Sequence, residues 1–281
     1  MEENKIYICL ANGDVFEGKR FGANGEVTGE LVFTTGMGGY IETLTDPSYF
    51  GQIVMQTFPL IGNYGFIDED KESEKSYVSA YIVREWCEEP SNFRCEKTLD
   101  DYLKENNIIG VYGVDTREIT KTIREAGVMN AIITSNPATV DYGKLKAYEI
   151  KDAVKSVSCK RPYMSASDEH KYNVVLIDYG TKKNIIRELN KRGCNVAVNT
   201  KADDILSLNP DGIMLSNGPG DPKENVEAIE QLKKLVGKVP IFAICLGHQL
   251  LPIWTKMYRI PVPAQHDCTA NLSPALFDRL R

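Results

Sequence analysis

Histidine is scarce in this sequence: His170, His248 and His266 are the three it has, so any imidazole chemistry has three candidates. The seven cysteines, Cys9, Cys87, Cys95, Cys159, Cys194, Cys245 and Cys268, are odd in number and form no Cys-x-x-Cys pair. That pattern argues against a disulfide framework and a zinc or other metal site, and it points to a reducing cytoplasm. Basic excess is missing too. The net charge is −6 and no basic stripe dominates, which speaks against a general nucleic-acid binder. The opening Met1-Glu-Glu-Asn-Lys5 is acidic and polar, without the basic start and apolar stretch of a secretion signal. No apolar run reaches the length of a membrane span, and neither internal repeats nor low-complexity tracts occur.

What remains is an ordinary globular composition, 42% hydrophobic and 26% charged over 281 residues, enough chain for two domains with cores of their own. Residues 1–150 read as strands and turns with some helix. Ile6–Leu10 is a short apolar strand, the turn signal Asn12-Gly13-Asp14 follows, and Val15–Gly18 is its hairpin partner. Glu30–Thr35, Gln52–Phe58 and Ser76–Val83 are further strand candidates, and Thr98–Asn106 and Thr116–Gly127 are helical patterns, each opening on a threonine suited to capping. The polar stretch that follows, with residues 151–172 at its centre, reads as the interdomain connection.

From residue 173 to 281 the pattern changes to alternating strand and helix. Val174–Asp178, Asn195–Asn199, Gly212–Ser216 and Val239–Ile244 are apolar strands. Lys182–Arg192, Asp203–Leu208 and Glu224–Val236 are the helices between them. Repeated β-α units with continuous apolar strands predict an α/β fold, a mostly parallel sheet flanked by helices. Ligands in such sheets bind at the carboxyl ends of the strands. Asp178-Tyr-Gly180, Ser216-Asn-Gly-Pro-Gly-Asp-Pro222 and Cys245 all fall there.

The run Val239-Pro-Ile-Phe-Ala-Ile-Cys-Leu-Gly-His-Gln-Leu-Leu251 is the most specific feature. A buried strand ends at Cys245, Gly247 follows two residues later, and a helix-compatible segment begins. This is a cysteine version of the nucleophile elbow, a tight strand-to-helix turn that presents a reactive atom above the sheet. Partial positive charge at the start of the helix would favour the thiolate. A lone strand-terminal cysteine is most often a buried structural residue; the surrounding string is what favours chemistry. The Ser216–Pro222 loop lies one strand earlier. Its glycines admit close approach of a ligand, and its amides could stabilise the oxyanion of an acyl-transfer intermediate.

Cys245-Leu-Gly-His-Gln249 with Ser216-Asn-Gly-Pro-Gly-Asp-Pro222 resembles a class I, triad-type glutamine amidotransferase. Leu10-Ala-Asn-Gly-Asp-Val-Phe-Glu-Gly18, Thr35-Gly-Met-Gly-Gly-Tyr40, Leu44-Thr-Asp-Pro-Ser-Tyr49 and Gly110-Val-Tyr-Gly-Val-Asp-Thr-Arg117 narrow this to the small subunit of carbamoyl phosphate synthetase, over about residues 5 to 251. The resemblance implies that Cys245 attacks the side-chain amide of glutamine and forms a glutamyl thioester. It implies an oxyanion hole from the amides of Leu246 and Gly218, and glutamine held by Gln249, Gly220 and Ser48, the last reaching across from the N-terminal domain. Ammonia would pass to a large synthetase subunit, which uses bicarbonate, ATP and Mg to make carbamoyl phosphate for arginine and pyrimidine synthesis. No cofactor is expected on this chain itself. Asp115-Thr116-Arg117 matches the family as well, but an ordinary helix start accounts for it.

The resemblance also implies a His-Pro-Glu pair well beyond the cysteine to serve as base and orienting acid, and none occurs before Arg281. The expectation is an amidotransferase sheet incomplete at its C-terminal end. Pro252 falls where the helix after the elbow should continue, and a proline inside a helix costs about 3 kcal/mol, so the helix is expected to begin or kink there. His266, beside Asp267, is the candidate substitute base, while His248 belongs to the elbow motif and His170 to the connection. Two readings follow: a glutamine-hydrolysing subunit, or a remnant that docks a large subunit or binds glutamine without turning it over. A different cysteine or α/β-type hydrolase is the weaker third, since Gly-x-Ser-x-Gly is absent.

Overall fold

A computed structural model describes residues 4–199 and 205–255. The first half, expected as strands and turns with some helix, is a closed barrel. Its strands are β1 (Lys5–Leu10), β2 (Val15–Gly22), β3 (Val27–Thr34), β4 (Gln52–Gln56), β6 (Ala80–Ile82), β8 (Ile109–Tyr112) and β9 (Met129–Thr134), and a two-stranded accessory sheet pairs β5 (Leu60–Ile61) with β7 (Glu85–Trp86). The order around the barrel is β1-β2-β8-β6-β4-β3-β9, closed by antiparallel pairing of β9 with β1. Over β4, β6 and β8 both faces of the wall are buried, and residue alternation separates them. Ile53 and Met55, Ala80 and Ile82, and Ile109 and Val111 point to the interior with Ile6, Ile8 and Ile133. Val54 and Tyr81 point outward into a second core, under α1 (Tyr40–Thr45) and α2 (Leu99–Glu105). Closure leaves the barrel without an open edge, a feature no single strand pattern announces.

Several elements differ from the sequence reading for local reasons. Of Ser76–Val83, Ala80–Ile82 alone forms a strand; ahead of it the Ser76 hydroxyl donates to the carbonyl of Leu44. Helix α3 (Thr116–Ala126) is capped by Asp115 rather than by Thr116: the Asp115 carboxylate accepts from the amides of Arg117 and Glu118, both at 3.1 Å. Thr98 does cap α2, accepting from the Asp101 amide. The connecting stretch carries structure of its own. After α4 (Tyr142–Lys146), it forms α5 (Ala153–Val157) and then β10 (Tyr163–Ser165), which joins the second sheet.

That sheet has the order β10-β12-β11-β13-β14, from β11 (Tyr172–Ile177), β12 (Cys194–Asn199), β13 (Gly212–Leu215) and β14 (Ile241–Ala243). All pairs are parallel except β10 with β12. Helix α6 (Lys183–Lys191) covers one face through Ile186, packed with Leu176, Val196 and Val198. Helices α7 (Val226–Leu235) and α8 (Leu246–Thr255) cover the other through Leu232, Leu246 and Leu250, packed with Val175, Ile177 and Leu215. Helix α8 continues through Pro252 to Thr255, so the helix neither starts nor stops at the proline. The backbone bond given up there is the one an amide at 252 would donate to the His248 carbonyl, four residues back.

Chain order fixes where a ligand crevice opens. From β11 the chain crosses to β12 on one side, then returns past β11 to β13 on the other. The loops after β11 and β13 therefore diverge at a topological switch point, the place where open α/β sheets bind ligands. The barrel lies against this same end of the sheet: the carboxylate of Asp46 and the ammonium of Lys182 meet across the join at 2.7 Å.

Candidate active site

The elbow has the geometry its motif implies. Cys245 has φ of 50°, in the left-handed region, and its side chain is exposed. The turn is bound to the neighbouring strand by the amide of Ile244 on the carbonyl of Leu215 at 3.0 Å and the amide of Gly247 on that of Ser216 at 3.1 Å. Gly247 is required by this approach, since a Cβ there would lie 2.6 Å from Cβ of Leu215 and 2.8 Å from the Ser216 carbonyl. Helix α8 then starts, with the Gln249 amide donating to the Cys245 carbonyl at 2.9 Å. Gln249 and His248 are both exposed on its first turn. The chain thus sets a thiol at a helix N-terminus, beside a loop rich in amides.

That loop, Ser216–Pro222, packs on the elbow through Gly218. A Cβ on Gly218 would sit 2.8 Å from Cδ2 of Leu246 and 2.3 Å from the Tyr179 carbonyl. The structure therefore packs the Leu246 side chain against Gly218. Gly220 takes φ of 84° at the far end of the loop. Buried Ser216 holds the loop to the end of β11, its hydroxyl accepting from the Tyr179 amide at 2.9 Å and donating to the Asn217 carbonyl at 2.7 Å. A groove of about 1060 Å³ opens on the Gly220 side, between α5, Tyr179 and the start of α7. Neither Cys245 nor its neighbours in the elbow line it.

Ser48 comes from the barrel half of the chain and meets the Ser216–Pro222 loop at Asn217. It sits in a single 3₁₀ turn, Pro47–Tyr49, whose start is set by Pro47 and by the Asp46 carboxylate accepting from the Ser48 amide at 2.9 Å. The Ser48 hydroxyl accepts a hydrogen bond from Nδ2 of Asn217 at 2.9 Å, which places it one residue from Gly218. Asp46 is buried and also binds Lys182. Burial pulls the Lys182 ammonium down, but the adjacent Asp46 carboxylate, with Glu72 behind it, outweighs this and leaves its pKa raised.

Sequence reasoning passed over the residues that join the two halves. Asn217 lies inside a quoted motif and Asp46 inside another, yet only the fold shows that they meet. Glu72 gave no signal at all. It is buried, and its carboxylate accepts from the amide of Asn184 at 3.0 Å and from Nδ2 of the same residue at 2.8 Å, while its carbonyl accepts from the Lys183 amide. A barrel residue thereby caps the N-terminus of α6 in the other half. Elsewhere, buried Asp178 accepts from the amides of Gly180 and Thr181 and from that of Cys159, whose thiol is pushed up to about 12, first by burial and then by this carboxylate. His170 is exposed, with Nε2 at 3.1 Å from Oδ1 of Asn173. His266, the candidate substitute base, lies outside the described residues. Among the described residues, no group of three or more histidine, cysteine, aspartate or glutamate side chains could hold a metal ion, and no helix is long and apolar enough to cross a membrane.

Comparison with known proteins divides the chain as the structure does. Residues 8–133 match the family model of the carbamoyl-phosphate synthase small chain, CPSase domain, and residues 175–255 match that of glutamine amidotransferase class-I. The carbamoyl phosphate synthase small chain of Bacillus thuringiensis subsp. konkukian is 54% identical over 254 residues, covering 89% of this chain and 69% of that protein. Those of Clostridium perfringens and Bacillus caldolyticus are 51% and 50% identical, with 72% and 70% of their lengths covered.

Proposed function

The chain belongs to the carbamoyl-phosphate synthase small-chain family, and on that premise we propose that Cys245 is the nucleophile of a glutaminase that feeds a large synthase subunit. The observation that carries this reading is the elbow itself. An exposed cysteine is held at φ of 50° at a helix N-terminus, against the loop that bears Gly218. The Cys245 thiolate attacks the side-chain carbonyl carbon of glutamine. The oxygen of the tetrahedral adduct takes hydrogen bonds from the Leu246 and Gly218 amides, donors that are fixed before the reaction and so cost no reorganisation during it. The C–N bond then breaks as the nitrogen takes the proton that the base removed from the thiol, ammonia leaves, and a glutamyl thioester remains until water, giving a proton to the base, releases glutamate and restores the thiol. Gln249, Gly220 and Ser48 hold the substrate. The candidates for the proton-transferring base are His248, exposed beside the elbow, and His266.

Ammonia made here would be consumed by a large subunit that binds ATP and bicarbonate, in the cytoplasm, with no cofactor on this chain. The test is ammonia release from glutamine by the purified chain, with and without a large subunit. Cys245→Ser is expected to lower the turnover number at least about 10³-fold, the scale of removing a catalytic nucleophile. Turnover that survives Cys245→Ser would overturn Cys245 as the nucleophile; none from the folded chain in either setting would overturn hydrolysis and leave a role in docking or glutamine binding.

A further inference from the structure

Asn217 uses both ends of its side-chain amide to join the Ser216–Pro222 loop to the start of α6 and to the Pro47–Tyr49 turn. It is 3% exposed. Its Oδ1 accepts from the Lys182 amide at 3.1 Å, at the start of α6. Its Nδ2 donates to the Ser48 hydroxyl at 2.9 Å and lies 3.5 Å from the Asp46 carboxylate. The orientation is forced. A backbone N–H can face only the oxygen and a carboxylate favours only the NH₂, so a flipped amide would oppose like groups at both ends. Lys182 in turn neutralises Asp46 from the other side at 2.7 Å. The amide therefore fixes the distance between the barrel and the Ser216–Pro222 loop at the point where Ser48 meets Asn217.

It also fixes what Ser48 can do. A hydroxyl has one proton to donate and two lone pairs. Because Ser48 Oγ accepts from Asn217, its own proton is free to turn toward a ligand. We propose that Asn217 is a positioning residue for glutamine hydrolysis: it holds the Ser48 hydroxyl at the substrate end of the loop and commits it to donate to an acceptor atom of the amino acid. This rests on Ser48 being a glutamine contact, and the experiment separates the two claims.

Steady-state kinetics of glutamine hydrolysis would compare Ser48→Ala, Asn217→Ala and the double variant with the unsubstituted chain. Asn217→Ala is expected to raise KM for glutamine roughly three- to tenfold, the scale of one neutral hydrogen bond, with the turnover number little changed. The double variant is expected to match Ser48→Ala, because the two side chains act as one unit. A merely structural asparagine would lower the melting temperature and the active fraction without moving KM. Asn217→Asp is the second variant: it keeps the shape and the acceptor for Lys182 but, when ionised, loses the donor to Ser48 and sets a second carboxylate against Asp46, and a KM change at least as large is expected. If Ser48→Ala leaves KM unmoved, the Ser48 contact and the proposal both fail. If Ser48→Ala raises KM and the Asn217 variants do not, or the effects multiply, the proposal alone fails. Should the chain release no ammonia, the same variants are read by glutamine protection of Cys245 against iodoacetamide. A three- to tenfold loss of protection supports the proposal; no loss, or no protection of the unsubstituted chain, overturns it.

Discussion

Four residues other than glycine take positive φ among the described residues: Asn107, Asp152, Asn209 and Cys245. Asparagine and aspartate tolerate this region because their short polar side chains bond locally, whereas a cysteine has no such relief and gives up about 1–2 kcal/mol there. The fold holds Cys245 in that conformation through the bonds of Ile244 and Gly247 to the end of β13. Strain of this kind collects at functional sites. Cys245→Gly is therefore expected to stabilise the chain by about 1 kcal/mol while abolishing thiol chemistry. Urea unfolding checks the first half and ammonia release the second. A glycine variant less stable than the parent would show that the turn is not strained.

Helix α6 draws its N-terminal cap from another part of the molecule. Its own N-cap position, Lys182, offers no side-chain acceptor to the first turn, and Glu72 of the barrel supplies one to Asn184. Glu72→Ala is expected to cost about 1–3 kcal/mol, more than an ordinary cap because the acceptor is charged and buried. Glu72→Gln should lose less, since one amide oxygen can still accept. Equal losses in urea unfolding would mean that the charge contributes nothing. This is the kind of contact a sequence does not disclose. The strands β11, β12 and β13 and the helices α6 and α7 were readable because apolar runs and 3.6-residue periodicity are local signals. The elbow was readable because its spacing is local too. Elements of three to six residues, such as α1, α5 and β10, are too short to carry a period. The meeting of Ser48 with Asn217, 169 residues apart, is a product of the join between the two halves and has no local trace.

At the scale of the whole molecule, ionisable groups held in one charge state set the alkaline limit. Burial raises the phenols of Tyr40, Tyr81, Tyr102 and Tyr179 above their ordinary value of 10, and the Lys182 ammonium is raised as well. A group whose folded value lies above its unfolded one gives stability that is complete below the unfolded value and lost as pH climbs toward the folded one. The unfolding free energy is therefore expected to fall from about pH 10 upward. The Tyr179 hydroxyl is buried without a hydrogen-bond partner, so Tyr179→Phe should cost little at neutral pH. It should also remove about 1.4 kcal/mol per pH unit from that alkaline slope. An unchanged slope in urea titrations above pH 10 would show that the phenol ionises as readily in the fold as out of it. The outer hem of the second sheet matters in a different way to anyone dividing the protein for expression. A fragment begun at residue 173, where the composition changes, leaves Tyr163–Ser165 behind and strips β12 of its antiparallel neighbour. The bared main-chain groups then invite a second copy to dock strand to strand. A fragment begun ahead of Tyr163 brings its own selvedge with it.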